Sequence, residues 1–257
     1  MNSRAAFVLS LSVALLLAGC GKKSSVEELP AAQEATVPAE PIDPATVAEI
    51  TGKVLYDGQV PERARIRMES VPTCMQANKE PTYSEELVVN DNKTLRNVFV
   101  YVKAGLGNRR FPAPEEAVVF NQQGCMFRPH VVGLVVGQKL DIRNSDDASH
   151  NVHPIARMNR EWNQSMAPGA GDIMEQFSRP EVMIPVRCNV HPWMRAYISV
   201  LPHPFFAVPD DTGTFSLRGL PPGEYTIEAW HEKFGTQDQK ITVESKESKA
   251  VSFTFKG

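Results

Sequence analysis

Apolar and polar residues alternate along most of the chain beyond Glu49, with the period of two that marks half-buried strands. In "GQKLDIRN", Leu140 and Ile142 alternate with polar neighbours. "EVMIPVRC" places Val182, Ile184, Val186 and Cys188 on one face, and "MRAYISV" does the same for Met194, Ala196, Ile198 and Val200. "NVFVYV" (97–102) is a β-branched and aromatic run of the kind that forms a buried strand. Four further strands follow near the C-terminus, carried by Phe215/Leu217, Tyr225/Ile227/Ala229, Ile241/Val243 and Val251/Phe253/Phe255. The 20 prolines and turns such as "LPPGEY" punctuate these runs. Residues 155–178 leave the only room for a helix. Their Met, Pro and Gly content reads as a loop with space for one short helix. The pattern predicts an all-β protein built from sandwiches.

The first 48 residues lack this alternation. Met1–Cys20 has one early basic residue, Arg4, and an apolar run from Ala5 to Ala18. That run falls short of the ~20 apolar residues a bilayer span needs, so it reads as a secretory signal. Its end, "LAGC", resembles a bacterial lipobox. The resemblance implies cleavage before Cys20 and lipidation of that cysteine. Gly21, where Asp would argue for inner-membrane retention, points to the outer membrane and the periplasmic face of the envelope. Residues 21–48 are rich in Ala, Glu and Pro and read as a solvated tether, about 25–30 Å long as a flexible coil. A net charge of −3 with no basic cluster argues against nucleic-acid binding.

Chemistry concentrates in "PVRCNVHPWMRAYISV" (185–200). Cys188 ends one strand pointing inward, residues 189–193 form a tight loop, and Met194 starts the next strand, also inward. A thiolate, the His191 imidazole and a thioether therefore converge at one end of a sandwich. The second imidazole comes from "SDDASHNVHP". There His150 and Val152 share one face while Asn151 and His153 take the other, so His150 rather than His153 is the candidate. Two imidazoles, one thiolate and a weak axial Met form the blue-copper arrangement, in which soft sulfur favours Cu(I) and imidazole suits Cu(II). Structural zinc sites seldom use Met. A c-type haem needs Cys-x2-Cys-His, and a dinuclear copper site needs two neighbouring cysteines. Neither pattern occurs here.

Of the four cysteines, Cys20 is the anchor and Cys188 belongs to the metal motif. Cys74 and Cys125 remain as a disulfide, as two free thiols, or, for Cys125 with His130, as part of a second metal site. An oxidising compartment favours the disulfide, which closes a loop of about 50 residues and stabilises by up to about 4 kcal/mol. His130 reads as a surface or satisfied histidine, and His203 and His231 as packing histidines at a domain seam.

With these residues in view, "HNVH" followed by "CNVHPWMR" resembles the cupredoxins, and the amicyanin branch most closely. The run "FRPHVVGLVVGQKLDIRNSDDASHNVH" resembles the strands that precede the first ligand in that family. The resemblance implies a Greek-key β-sandwich with His150, Cys188, His191 and Met194 as copper ligands, and Asn151 tying the two ligand loops together. It also implies that His191 emerges through an apolar surface patch where partners dock, with Pro192 and Trp193 in that patch. "GTFSLRGLPPGEYTIEA" and "ITGKVLYDGQVP" (50–61) resemble the carboxypeptidase regulatory-like domain, a smaller prealbumin-like sandwich. The expected organisation is a signal peptide (1–20), a tether (21–48), a first strand region of the small sandwich (49–70), a copper domain (71–201) and the remaining small sandwich (202–257).

The function expected is one-electron transfer by a membrane-tethered copper protein, with a cytochrome or copper enzyme as redox partner. A copper-delivery or structural envelope module is the alternative. An oxidoreductase fits less well, because multicopper oxidases need His-x-His pairs and the chain has none.

Overall fold

The computed structural model describes residues 41–257. The signal peptide, Cys20 and most of the tether lie outside these residues. The end of the expected tether is ordered into the fold: Ile42 packs against a hydrophobic core and Ala48 is buried at the start of the first strand.

Two sandwiches share the chain. In the smaller one, a three-stranded sheet runs β13 (Thr214–Leu220), β1 (Ala48–Asp57), β16 (Ser248–Lys256). It faces a sheet running β12 (Phe206–Ala207), β2 (Phe99–Ala104), β14 (Gly223–His231), β15 (Gly235–Val243). Alternation explains the packing. Ile50, Val54 and Tyr56 from β1 meet Phe253 and Phe255 from β16, with Val100, Val102, Tyr225, Ile227 and Ala229 opposite. Each Val, Ile or Phe among them contributes about 1.5–3 kcal/mol on burial. Strand β1 pairs parallel with β16 over nearly its whole length and antiparallel with β13, so both ends of the described chain complete this sandwich.

The larger sandwich packs a five-stranded sheet, β5 (Val131–Val135), β11 (Arg195–Leu201), β10 (Glu181–Arg187), β7 (His150–Pro154), β8 (Gln164–Met166), on a four-stranded one. The latter runs β4 (Phe127–Arg128), β3 (Val118–Gln122), β6 (Lys139–Asn144), β9 (Ile173–Gln176). Phe120, Phe127, Leu140 and Ile142 from one sheet meet Leu134, Val152, Ile184, Val186, Ala196, Ile198 and Val200 from the other. Gly133 in β5 sits where an added Cβ would strike the rings of Phe206 and Phe99. A glycine there lets the two sandwiches approach along a seam of Phe99, Tyr101, Val131, Met183 and Leu201.

Three expectations change. Strand β2 pairs with β14 and β12, so residues 99–104 belong to the small sandwich rather than to the 71–201 span. A single buried run cannot announce its partner, because pairing is non-local. Val182 does not share the inward face of β10: it is 39% exposed, while Met183 is buried with φ +58°. A β-bulge between Glu181 and Ile184 adds a residue and flips the alternation there. Residues 155–178, expected as a loop with room for one short helix, contain β8 and β9, and the one α-helix among the described residues is α1 (Pro72–Ala77). No helix among the described residues is long and apolar enough to cross a membrane.

Candidate metal centre

The end of the larger sandwich brings three buried donors together. His150 opens β7, Cys188 follows β10 directly, and His191 sits in the turn before β11. The turn is closed by two backbone hydrogen bonds, Met194 N–H to the His191 carbonyl at 2.9 Å and Cys188 N–H to the Met194 carbonyl at 3.2 Å. Asn151 clamps it to β7: its Oδ1 accepts from Asn189 N–H at 2.7 Å and lies 3.4 Å from Cys188 Sγ. The ligating atoms of His150, Cys188 and His191 all lie within 4.8 Å of one another. His150 Nδ1 and His191 Nδ1 are 2.9 Å apart, and Cys188 Sγ is 3.9 Å from His191 Nδ1. The three residues are 1%, 3% and 3% exposed for His150, Cys188 and His191, so water does not compete for the donors.

Each histidine is held by its far nitrogen. His150 Nε2 lies 2.9 Å from Asp146 Oδ2. That carboxylate also accepts from the backbone N–H groups of Gly124 and Cys125, at 2.6 and 2.8 Å. An acceptor-only carboxylate assigns the proton to Nε2 and leaves the Nδ1 lone pair aimed inward. On His191, Nε2 lies 3.7 Å from Cys74 Sγ, which is bonded to Cys125. The Trp193 ring tilts against the imidazole with centroids 5.1 Å apart, and its indole N–H donates to the Cys125 carbonyl at 3.0 Å.

The electrostatics follow from these contacts. Burial pushes the Asp146 carboxyl up, but His150 and the two amides outweigh it and hold it below the usual range. Burial opposes the charged form of His150, yet Asp146 and Cys188 raise its pKa overall. Burial would raise the Cys188 thiol, but hydrogen bonds from His150 and the loop amides bring it down toward thiolate. His191 is lowered by burial and by the charge on His150. His150 Nδ1 and His191 Nδ1, 2.9 Å apart beside the Cys188 sulfur, can approach this closely only with a proton or a cation between them. The donor set therefore fits a metal ion, and its mix of thiolate and imidazole suits a borderline or soft one.

The remaining expected residues take definite places. Met194 is fully buried in the core cluster that contains Cys188. His153 stays out: half-buried, it contacts Glu161 at 2.7 Å and the Asn189 amide at 3.2 Å. Cys74 and Cys125 form the disulfide, so Cys125 is unavailable to the second donor group it makes with Asp146 and His150, and to His130. His130 instead meets Glu232 at 2.6 Å. The docking patch differs from expectation. Pro192 is exposed and Trp193 half-buried, but His191 does not emerge, because the disulfide covers its Nε2 edge. Sequence reasoning missed Asp146. Its signal was present in "NSDDASH", an Asp four residues before the first histidine.

Comparison with known proteins speaks first to the other sandwich. Residues 192–256 match the carboxypeptidase regulatory-like domain. The matched segment covers β11 of the larger sandwich and β12–β16 of the smaller one, while β1 and β2 of the smaller one lie upstream of it. No curated protein sequence matches the chain. Among solved structures, a Cu-containing nitrite reductase from Thermus scotoductus SA-01 is similar at 19% identity and a TM-score of 0.31, over 40% of this chain and 25% of that one. The chain thus spans about a quarter of that enzyme. An oxidized proline-to-alanine mutant of amicyanin is similar at 21% identity and TM-score 0.29, over 33% of this chain and 81% of that one. A purple cupredoxin from Nitrosopumilus maritimus follows at 20%, TM-score 0.26, with 29% and 81% covered. The metal reading rests on the site geometry.

Proposed function

We propose that this protein is a mononuclear copper electron carrier held at the periplasmic face of the cell envelope. The observation that carries the reading is the buried convergence of Cys188 Sγ, His150 Nδ1 and His191 Nδ1. Cys188, His150 and His191 would hold the ion, with Met194 as a weak fourth donor. Bound copper would supply one-electron chemistry by cycling between Cu(I) and Cu(II). The chain's own part is to keep the donors fixed and dry. Asp146 and the disulfide pin the far edges of the imidazoles, and Asn151 pins the cysteine loop, so little rearrangement accompanies a change of charge. Lipidation at Cys20 and the stretch to about residue 40 would tether this domain to a membrane, most simply the outer one. A cytochrome or copper enzyme would exchange electrons with it, and no substrate turnover is required.

Copper titration of the purified protein tests the reading. Addition of one equivalent of Cu(II) is expected to develop the intense blue thiolate-to-copper absorption, absent in Cys188→Ser. A protein that takes up zinc but stays colourless with copper contradicts the proposal. Catalytic consumption of oxygen or nitrite by the loaded protein would replace carrier with enzyme.

A further inference from the structure

The Nδ1 atoms of His150 and His191 face each other beside Cys188, and their Nε2 edges meet a different set of groups. Cys74 Sγ lies 3.7 Å from His191 Nε2. Cys125 is held by Asp146, whose Oδ2 accepts from its backbone N–H at 2.8 Å and meets His150 Nε2 at 2.9 Å. One donor atom from each of Cys125, Asp146 and His150 lies within 4.8 Å of the other two. Cys74 and Cys125 are both fully buried. This is a second gathering of metal donors, and only the bond between the two sulfurs withholds its cysteines. The cover over it is slight. Helix α1 is six residues long, has no side-chain cap at its N-terminus, and buries only Cys74. Segments with so few buried contacts open locally at low cost, which lets a reductant reach the bridge.

We infer that breaking the Cys74–Cys125 bridge creates a second buried metal site, for a borderline-soft divalent cation such as zinc, built from Cys74, Cys125 and Asp146 with the His191 Nε2 edge as fourth donor. Two thiolates, a carboxylate and an imidazole nitrogen are the donor types of closed four-coordinate sites. His191 supplies the nitrogen because His150 Nε2 carries the proton that Asp146 accepts. A dithiol is the reductant that balances the chemistry. Its two sulfurs lose two electrons and join as a ring disulfide. Cys74 and Cys125 gain those electrons and the two protons as thiols, and the cation displaces the protons when it binds the thiolates. Oxidation of the two thiolates back to the bridge removes both sulfur donors and expels the ion. The same two cysteines are thus a covalent staple when oxidised and a metal clip when reduced. The site shares only His191 with the copper reading, through the opposite nitrogen, and uses no other part of it.

Cadmium tests this without copper, because it takes the same donors as zinc and absorbs in the ultraviolet when bound by thiolate. The full-length chain carries Cys188→Ser, which removes the thiol of the first centre. Anaerobic treatment with dithiothreitol, followed by desalting, is expected to add one equivalent of bound cadmium over the untreated chain, with the thiolate-to-cadmium band. Zinc should compete for it, and ferricyanide should release it as the bridge re-forms. Adding Cys74→Ser/Cys125→Ser should abolish the extra uptake. Loss of a group behind a metal ligand already costs about 10–100-fold in affinity, so Asp146→Asn, which removes a donor, should weaken cadmium at least about tenfold. Equal uptake by treated and untreated chains overturns the inference, as does unchanged affinity in folded Asp146→Asn, or a bridge that dithiothreitol leaves intact while the chain stays folded. A protein with Cys188 in place that turns blue with copper when oxidised, while the reduced chain gains no cadmium, would keep the carrier reading and sink this site.

Discussion

Two pairs of histidines in this molecule are almost equally buried and chemically opposite. His203 and His231 lie outside the metal sandwich and are 6% and 0% exposed. Their rings stack on Phe205 and Phe234, and burial pushes both pKa values down to about 4. Each Nδ1 only accepts a local backbone N–H, from Phe205 and Lys233. His150 and His191, at 1% and 3%, also lose water, but they face each other across Cys188, and Asp146 supports one of them. Burial alone makes a neutral packing residue. Burial with a converging thiolate and a carboxylate behind makes a ligand site. The distinction lies in what the far nitrogen meets.

The largest expected effect comes from removing the cross-link that closes over the site. The double change Cys74→Ser/Cys125→Ser opens a loop spanning a sequence separation of 51 and should destabilise by about 4 kcal/mol in denaturant unfolding. A change below about 1 kcal/mol would show that the disulfide does not constrain the chain.

The packing pair predicts a pH dependence. His203 and His231 have folded pKa values of about 4 against 6.5 ordinarily, so the unfolded chain binds more protons between those values. Stability is therefore full above about pH 6.5 and falls as pH drops toward 4, by up to about 3 kcal/mol per group. Unfolding at about pH 7 and about pH 5 measures it, and the slope should shrink in His231→Phe. A flat profile would remove the contrast between the two pairs.

Asp146→Ala strips His150 of its acceptor and leaves the Gly124 and Cys125 amides unpaired. Copper affinity should fall about 10–100-fold, read by competition with a chelator. His231→Phe is the counterpart with the smallest effect. Its Nε2 has no partner among the described residues, so the change should leave copper affinity within about twofold and stability near neutral pH within about 1 kcal/mol. Equal losses in the two variants would erase the comparison.

Much of this was legible in the sequence because it is local. Alternation in "MRAYISV" put Met194, Ala196, Ile198 and Val200 inside, and all four are 1% exposed or less. Period-two reasoning separated His150 from His153, and the structure brings His150 to Cys188 and leaves His153 half-buried beside Glu161. What was hidden depends on distant residues. The partner of β2 lies more than a hundred residues away, the bulge at Met183 breaks a rule that has no other marker, and helix α1 carries Cys74 onto His191 from 117 positions upstream. That last contact is why the second histidine is covered rather than presented.

The most direct measurement is X-ray absorption at the copper edge of the loaded protein. Two nitrogen donors and one short sulfur, the sulfur vanishing in Cys188→Ser, are the predicted first coordination sphere. A sphere of oxygen and nitrogen alone in the unmodified protein would contradict the account.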